Sequence, residues 1–197
     1  MARLRKIRKT NPVSLIICED TKSSKHYLTG FSQYYGLGLT VESAYGTSAK
    51  NVVETAEQRK KHFNKHDIPF DIIGCVFDKD DDAIDKITSS IEKCKKQKFL
   101  YGYSNPCYEY WLLLHYKKTD MAFTSAAECC EKCLTEYNAK YNTSLTIKDL
   151  KAKTHIFNNE DYLTAQKNAT ALGLTDINNT YTNMHEFLAE LLAERGK

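Results

Sequence analysis

Long apolar runs are absent from this sequence of 197 residues. No segment approaches the roughly 18 consecutive apolar residues of a transmembrane helix, so we expect a soluble protein that does not enter a membrane. The first nine residues are basic but lack the apolar segment of a secretory signal, which makes the cytoplasm the expected location. The net charge of +3 is too small to indicate a partner by itself.

Glycine-rich motifs are also absent, although the chain contains eight glycines. None of them forms a Walker or dinucleotide-binding fingerprint after a predicted strand, and there is no Gly-x-Ser-x-Gly elbow. The sequence therefore gives no indication of a nucleotide cofactor.

The seven cysteines do not indicate a disulfide framework, because their number is odd. Cys18 and Cys75 lie within apolar runs, where a free cysteine behaves as a small hydrophobic residue. Cys129, Cys130 and Cys133 resemble half of a zinc site, but their segment is predicted to be helical. No second pair of Cys or His stands at a diagnostic distance, so zinc is not predicted.

Apolar runs alternate with helical periodicity, which predicts an α/β fold with a central, mostly parallel, four-stranded sheet flanked by helices. The run at 70–77 is nearly continuous in apolar residues, as expected for a strand buried on both faces. The predicted strands are 13–18, 37–43, 70–77 and 99–103. Helices are predicted at 21–35, 49–65, 83–98, 107–116, 125–137, 147–153, 160–172 and 184–194.

Three regions follow from this alternation. A basic segment, 1–12, precedes an α/β core at 13–120. The remainder, 121–197, contains only predicted helices and is expected to form a helical extension packed on the core. We expect these regions to fold as one unit.

The predicted helix at 107–116 is apolar nearly all round and should therefore be buried. Asn105 is expected to cap it and Pro106 to occupy its first position. A buried carboxylate such as Glu109 needs a partner or a role. His115 shares a face with apolar residues, so we expect a core histidine with satisfied hydrogen bonds rather than a general base.

Three acids follow the ends of two predicted strands. Glu19 ends the first apolar run, and Asp78 and Asp80 end the run at 70–77. The carboxyl ends of parallel strands open on the crevice where such sheets bind ligands. If residues 78–80 are extended, both aspartates face one side and, with Glu19, could bind Mg²⁺ or Mn²⁺. Strand-to-helix turns are often acidic, and we interpret Asp81 and Asp82 as helix N-terminal residues.

Basic residues provide the candidate phosphate contacts. Lys22 follows Glu19 closely and could bind a phosphate at the same edge of the sheet, or it could be an ordinary exposed lysine. Two clusters of basic residues could attract the phosphate backbone of a nucleic acid. Alternatively, the first is an ordinary terminal tail and the second a solvated helix face. Their members are Arg3, Arg5, Lys6, Arg8 and Lys9 in the first, and Lys93, Lys95, Lys96 and Lys98 in the second.

Three segments together resemble the Toprim-like RloB family. They are Ile-Ile-Cys-Glu at 16–19 with Lys22, Cys-Val-Phe-Asp-Lys-Asp at 75–80, and the run from Ser104 to Tyr116 that contains Asn-Pro-Cys-Tyr-Glu. The segment around 178–181 also resembles the end of that family. The sequence departs from the family at two places. Asp20 follows Glu19, where the family typically has glycine, and Ser23 and Ser24 follow Lys22, where the family typically has further acids.

The resemblance implies a Toprim-like Rossmann-type fold in which Glu19, Asp78 and Asp80 bind a divalent metal. It also implies a role in bacterial phage defence, where related effectors cleave nucleic acid, including tRNA. Our leading hypothesis is an endoribonuclease that uses Mg²⁺ or Mn²⁺, with Glu19 as ligand or general base. Glu109 would complete the site and Lys22 would hold a phosphate. A DNA substrate, a partner ATPase or sensor from the same operon, and a homo-oligomer are further expectations.

Two other functions remain open from the sequence. A receiver-like domain would be phosphorylated on Asp78, but such domains carry a Lys-Pro after a later strand, and this sequence has none. A non-catalytic module would keep the acids and bind RNA, DNA or a protein through the basic clusters.

Overall fold

The protein is described here by a computed structural model that covers residues 13–66, 70–153 and 157–194. Its strands are β1 (Val13–Cys18), β2 (Gly38–Ser43), β3 (Ile72–Asp78), β4 (Leu100–Asn105) and β5 (Tyr181–Thr182). Its helices are α1 (Ser23–Tyr35), α2 (Ala49–Lys65), α3 (Ile84–Gln97), α4 (Glu109–Leu113), α5 (Ala126–Tyr141), α6 (Ile147–Lys153), α7 (Asn159–Leu172) and α8 (Met184–Glu194). The basic cluster at 3–9 lies outside the described residues.

The strands form one sheet in the order β2-β1-β3-β4-β5. The four strands predicted from the sequence are parallel to one another, which confirms the α/β fold class. The sheet also has a fifth strand, β5, which pairs antiparallel with β4. The sequence did not predict it, because two residues are too few to show an alternating pattern.

The strand β1 lies between β2 and β3 and is buried on both faces. Ile16 and Cys18 pack into one hydrophobic cluster, with α1, α4, α5, α7 and α8. Leu15 and Ile17 pack into a second cluster on the other face, with α2 and α3. Because side chains alternate along a strand, the one apolar run supplies both cores. Helices from the 121–197 region share the first cluster with β1 and β3. The division of the chain into an α/β core at 13–120 and a helical extension at 121–197 stays a prediction.

The outer edge of β4 is covered by β5 and by the side chain of Asn183. Ser104 and Asn105 pair with Thr182 and Tyr181. Beyond β5, Asn183 Oδ1 accepts a hydrogen bond from Tyr103 N at 2.7 Å, and its Nδ2 donates to Tyr101 O at 3.1 Å. The amide group of Asn183 thus takes the place of a further strand residue.

The chain between β4 and α4 differs from the sequence prediction. Asn105 is the last residue of β4, and its Nδ2 donates to Ile177 O at 3.0 Å instead of capping a helix. The Asn105–Pro106 peptide is cis, and α4 begins only at Glu109. The predicted start at Asn105 and Pro106 was therefore wrong, because pairing with β5 keeps Asn105 extended.

No helix in the described part of the chain is long and apolar enough to cross a membrane.

His115 is a buried residue with both ring nitrogens hydrogen-bonded, as predicted. Its Nδ1 lies 2.9 Å from Trp111 O and its Nε2 lies 2.9 Å from Tyr27 Oη. A carbonyl oxygen can only accept, so Nδ1 carries the proton and Nε2 accepts from the tyrosine hydroxyl. Burial lowers the pKa of His115 from 6.5 to about 4. The imidazole is therefore neutral in the folded protein near pH 7.

We predict that His115 makes stability fall on acidification. The unfolded chain binds a proton near pH 6.5, whereas the folded chain resists it until about pH 4. The contribution is therefore fully present above pH 6.5 and is lost as the pH falls toward 4, by up to about 3 kcal/mol. Urea unfolding between pH 7 and pH 4 should show a shallower loss in His115→Gln. The same change at the exposed His62 serves as control, and equal slopes in all three proteins would contradict the prediction.

Two glycines allow α8 to lie directly on the sheet. A Cβ on Gly74 would lie 2.7 Å from Ile16 Cδ1 and 2.9 Å from Phe187 Cε2. A Cβ on Gly102 would lie 2.4 Å from Met184 Sδ. These strand positions must therefore lack a side chain for the helix to approach as closely as it does.

We predict that Gly74→Ala lowers the free energy of unfolding by about 1–3 kcal/mol, because the added methyl overpacks the contact with Phe187. Chemical denaturation of the variant measures this loss. A double-mutant cycle with Phe187→Leu should return a favourable coupling energy, since the smaller side chain relieves the overlap. Additive effects of the two substitutions would argue against this explanation.

Candidate active site

The candidate active site lies where the carboxyl ends of β1 and β3 meet. The chain leaves β1 toward β2 on one side and returns to β3 on the other, so this is the topological switch point where such sheets bind ligands. Glu19 follows β1 directly, and its backbone N donates to Val76 O at 2.9 Å. Its side-chain Oε2 accepts from Asp78 N, at the end of β3, at 3.0 Å. The Glu19 carboxylate therefore contacts the backbone of Asp78 across neighbouring strand ends.

Asp80 reaches the same crevice by a turn and not by strand alternation. The strand β3 ends at Asp78, and Asp80 has a left-handed backbone with a φ of 36°. Its backbone N donates to Pro106 O at 3.0 Å, and its side chain is exposed. The premise that residues 78–80 are extended was wrong, although the acid still lies close enough to affect its neighbours.

The acids raise one another's pKa values. Burial, followed by the charges of Asp80, Asp82 and Asp20, raises the pKa of Glu19 to about 7, although the bond from Asp78 N opposes the shift. Burial, Glu109, Asp80 and Glu19 together raise the pKa of Asp78 well above its ordinary value. Partial burial and then the charge of Glu109 also raise the pKa of Asp80, although Lys151 opposes the shift. Carboxylates held in mutual repulsion favour a divalent cation, and their hard oxygens suit Mg²⁺ or Mn²⁺.

Glu109 lies beneath this crevice and is almost completely buried. Its Oε1 accepts from Ser23 Oγ at 2.9 Å and lies 3.3 Å from Lys151 Nζ. Burial alone would raise the pKa of Glu109, but Lys151, Ser23 and Cys107 outweigh it, and the pKa is lowered. Glu109 is therefore charged, and its charge raises the pKa values of Asp78 and Asp80.

Lys151 is a site residue that the sequence analysis missed. It lies on α6, and its charge lowers the pKa values of both Glu109 and Asp80. Burial would lower the pKa of Lys151, but the charge of Glu109 outweighs it, and the pKa is raised. The sequence indicated that a buried Glu109 would need a partner. It could not indicate which of the chain's 28 Lys and Arg residues that partner is.

Other acids near the crevice serve as helix caps. Asp20 accepts from Ser24 N at 3.1 Å and from Ser24 Oγ at 2.9 Å, so it caps α1. Asp82 accepts from Ala49 N at 3.1 Å, at the start of α2. The sequence predicted that Asp82 stabilises the start of the helix that follows it. In the structure its carboxylate lies instead at the start of α2, where the dipole of that helix favours a negative charge. Lys22 is exposed, at the residue preceding α1.

A cleft of about 720 Å³ opens beside Asp80. Its wall includes Lys79, Asp80, Asp81, Asn105, Ser125 and Asn178. Its volume is within the range of about 300–1,000 Å³ that small-molecule sites occupy, and the side chains offer both donors and acceptors. It can therefore accept a polar group such as a nucleotide next to the acids.

The second basic cluster lies away from this cleft. Lys95, Lys96 and Lys98 are at the end of α3, just before β4 begins, and so at the amino edge of the parallel strands. Lys93 pairs with Glu57 at 2.8 Å, and Lys95 Nζ lies 5.8 Å from the Tyr101 ring centroid. The pairing of Lys93 with Glu57 reduces the charge that this cluster offers to a partner.

A separate group of three possible metal ligands lies close to Glu109. Ligand atoms of Cys107, Glu109 and Cys130, all buried, lie within 4.8 Å of one another. Among the described residues, Glu19, Asp78 and Asp80 do not meet this spacing. The thiol–carboxylate group could hold a metal ion, and the sequence did not predict it because Cys107 is distant along the chain from α5.

A Rossmann-like sheet with acids gathered at its switch point defines this protein as an α/β protein with a candidate cation-binding crevice. The chain belongs to the RloB-like family, since the family model described as RloB-like protein matches residues 14–191. Searches of curated proteins and of solved structures found no match. The family assignment made from the motifs at 16–19, 75–80 and 104–116 is therefore confirmed.

We predict that Lys151→Met lowers the free energy of unfolding by about 1–3 kcal/mol, because it leaves the buried Glu109 carboxylate without its cation. Lys151→Arg retains the charge and should lose less. Chemical denaturation would give both values. In the Lys151→Met/Glu109→Gln double variant the losses should not add, because the pair acts as a unit; additive losses would contradict the pairing.

Proposed function

We propose that the protein is a divalent-metal-dependent endonuclease of a bacterial anti-phage defence system, cleaving RNA such as tRNA. The observation that carries the proposal is the contact between Glu19 and Asp78 at the switch point, with Asp80 near enough to shift the pKa of Glu19. Membership of the RloB-like family supports it. The defence role and the preference for RNA rest on the resemblance of this family to Toprim effectors.

Glu19, Asp78 and Asp80 would hold Mg²⁺ or Mn²⁺, whose Lewis acidity would activate the nucleophile and offset charge that develops on the phosphate. The Asp78 N–H holds Oε2 of Glu19 in place. Glu19 can thus act as a ligand or take the proton of the attacking hydroxyl. With a pKa near 7, its carboxyl can exchange a proton close to neutral pH.

Two lysines would bind the phosphate backbone. Lys151 carries positive charge at the crevice, where it interacts with both Glu109 and Asp80. Glu109 orients the lysine through their contact and does not need to touch the substrate itself. Lys22 is exposed beside the end of β1 and can contact a second phosphate. The cleft next to Asp80 would receive a neighbouring nucleotide.

The receiver-like alternative lacks support from the later strands. In such a domain, a hydroxyl and a lysine from later strand ends face the phosphorylated aspartate. Here the Ser104 hydroxyl pairs with Thr182 Oγ1 at 3.0 Å, and β5 runs antiparallel to β4. The carboxyl end of β5 therefore points away from the edge that carries Asp78.

We predict that Glu19→Gln lowers the rate of cleavage by a factor of about 100 or more, because the neutral amide can neither bind the cation well nor accept the proton. Wild-type and variant protein should be incubated with total bacterial tRNA or with plasmid DNA, with Mg²⁺, Mn²⁺ or EDTA, and the products resolved on gels. Glu190→Gln, the same change at an exposed position of α8, is the matched control. Circular dichroism checks that each variant is folded.

Discrete tRNA fragments that require metal and Glu19 would support the proposal. Full activity of Glu19→Gln would exclude the assigned site, and nicking of plasmid alone would change the substrate to DNA. If neither substrate is cut, with or without an ATPase partner, and RNA binding survives loss of all three acids, the protein is a binding module instead.

A further inference from the structure

Four of the seven cysteines gather between the start of α4 and one side of α5. Cys107 precedes α4, and Cys129, Cys130 and Cys133 lie along α5. All four thiols are buried and unpaired. A set of small hydrophobic residues would not need a carboxylate among them, yet Glu109 is within 4.8 Å of both Cys107 and Cys130. The composition of this cluster indicates a ligand rather than simple packing.

The spacing of the sulfur atoms suits a tetrahedral ion. Cys107 Sγ and Cys130 Sγ lie 4.0 Å apart. Two thiolates bound to zinc at about 2.3 Å each lie roughly 3.8 Å apart at the tetrahedral angle. A disulfide needs about 2.05 Å, so the sulfurs would have to approach by nearly half their separation. The observed distance thus matches shared coordination more closely than a bond.

A third ligand is also present, the carboxylate of Glu109. Ser23 and Lys151 both contact Oε1 of Glu109, and the carboxylate has a second oxygen to offer. With Cys107 and Cys130, the carboxylate makes three protein ligands, the number found in zinc sites that keep an open fourth position. Cysteine sulfur and carboxylate oxygen are both regular zinc ligands.

The charges balance only because Lys151 is present. Two thiolates, one carboxylate and Zn²⁺ sum to a single negative charge, which would be costly in a buried site. Lys151 Nζ, 3.3 Å from Glu109 Oε1, supplies the compensating positive charge. The lysine thus acts as the outer partner that metal ligands commonly have.

We propose that Cys107, Cys130 and Glu109 form a zinc site that joins the start of α4 to α5. Each thiol releases its proton to solvent as its sulfur binds the ion, and no electron transfer is involved. The ion fixes the position of Glu109, and through it Lys151, beneath the acid crevice. This site does not depend on the proposed nuclease activity.

The test is the zinc content of the full-length protein, purified without chelators and measured by mass spectrometry of the elements. We expect about one zinc per chain, and loss of most of it in Cys130→Ser. Cys94→Ser, a buried thiol in the hydrophobic cluster on the other face of the sheet, is the matched control and should keep the metal. Glu19→Gln should also keep it, which separates this site from the acid crevice.

Cobalt gives a readout that does not depend on variants folding. Co²⁺ added to reduced, metal-depleted wild-type protein should produce the near-ultraviolet absorption of thiolate-to-cobalt charge transfer, and Zn²⁺ should abolish it. No retained zinc and no such absorption would overturn the proposal. Loss of two mass units on treatment with peroxide, mapped to a Cys107–Cys130 disulfide in protein that binds no zinc, would also overturn it and make the pair a redox couple.

Discussion

The structure around the candidate active site depends on the burial of one carboxylate, that of Glu109. A charged group in a nearly dry environment must find compensation, and Glu109 finds it in three separate parts of the chain. Ser23 at the start of α1 donates a hydrogen bond, Lys151 of α6 supplies a charge, and the thiol of Cys107 lies beside it. The helices that carry these partners are thereby fixed relative to the strand ends. The charge of Glu109 also raises the pKa values of Asp78 and Asp80. The carboxylate that connects these segments therefore also influences the electrostatics of the crevice.

Much of the fold could be predicted from local pattern. The four parallel strands follow from continuous apolar runs, and the helices of the second half follow from their periodic apolar faces. Two features could not be predicted in this way. The strand β5 contains only Tyr181 and Thr182, and its existence depends on the open edge of β4. The helix predicted at 107–116 is regular only from Glu109 to Leu113. Its late start reflects the pairing of Asn105 with β5, a tertiary contact that local helix signals cannot register.

The candidate site divides in the same manner. Glu19 and Asp78 could be predicted because strand ends are visible in the sequence and parallel strands place them at one edge. Asp80 was assigned to the correct region by an incorrect argument, since a left-handed turn carries it there. Lys151 and the Cys107–Cys130 pair could not be found, because each is defined by a neighbour distant along the chain. A carboxylate in an apolar sequence indicates that a buried partner is needed. Which lysine fills that role depends on how α6 packs against the core.

The side-chain amide of Asn183 has a consequence for how molecules of this protein meet. An uncovered strand edge exposes a row of peptide groups on which a second chain can add its own strand, and such pairing leads to aggregation. The two residues of β5 would leave the middle of β4 open, but Asn183 occupies the peptide groups of Tyr101 and Tyr103 with its own amide. One residue thus closes this edge of the sheet at little cost in chain length, and leaves β2 as the opposite edge.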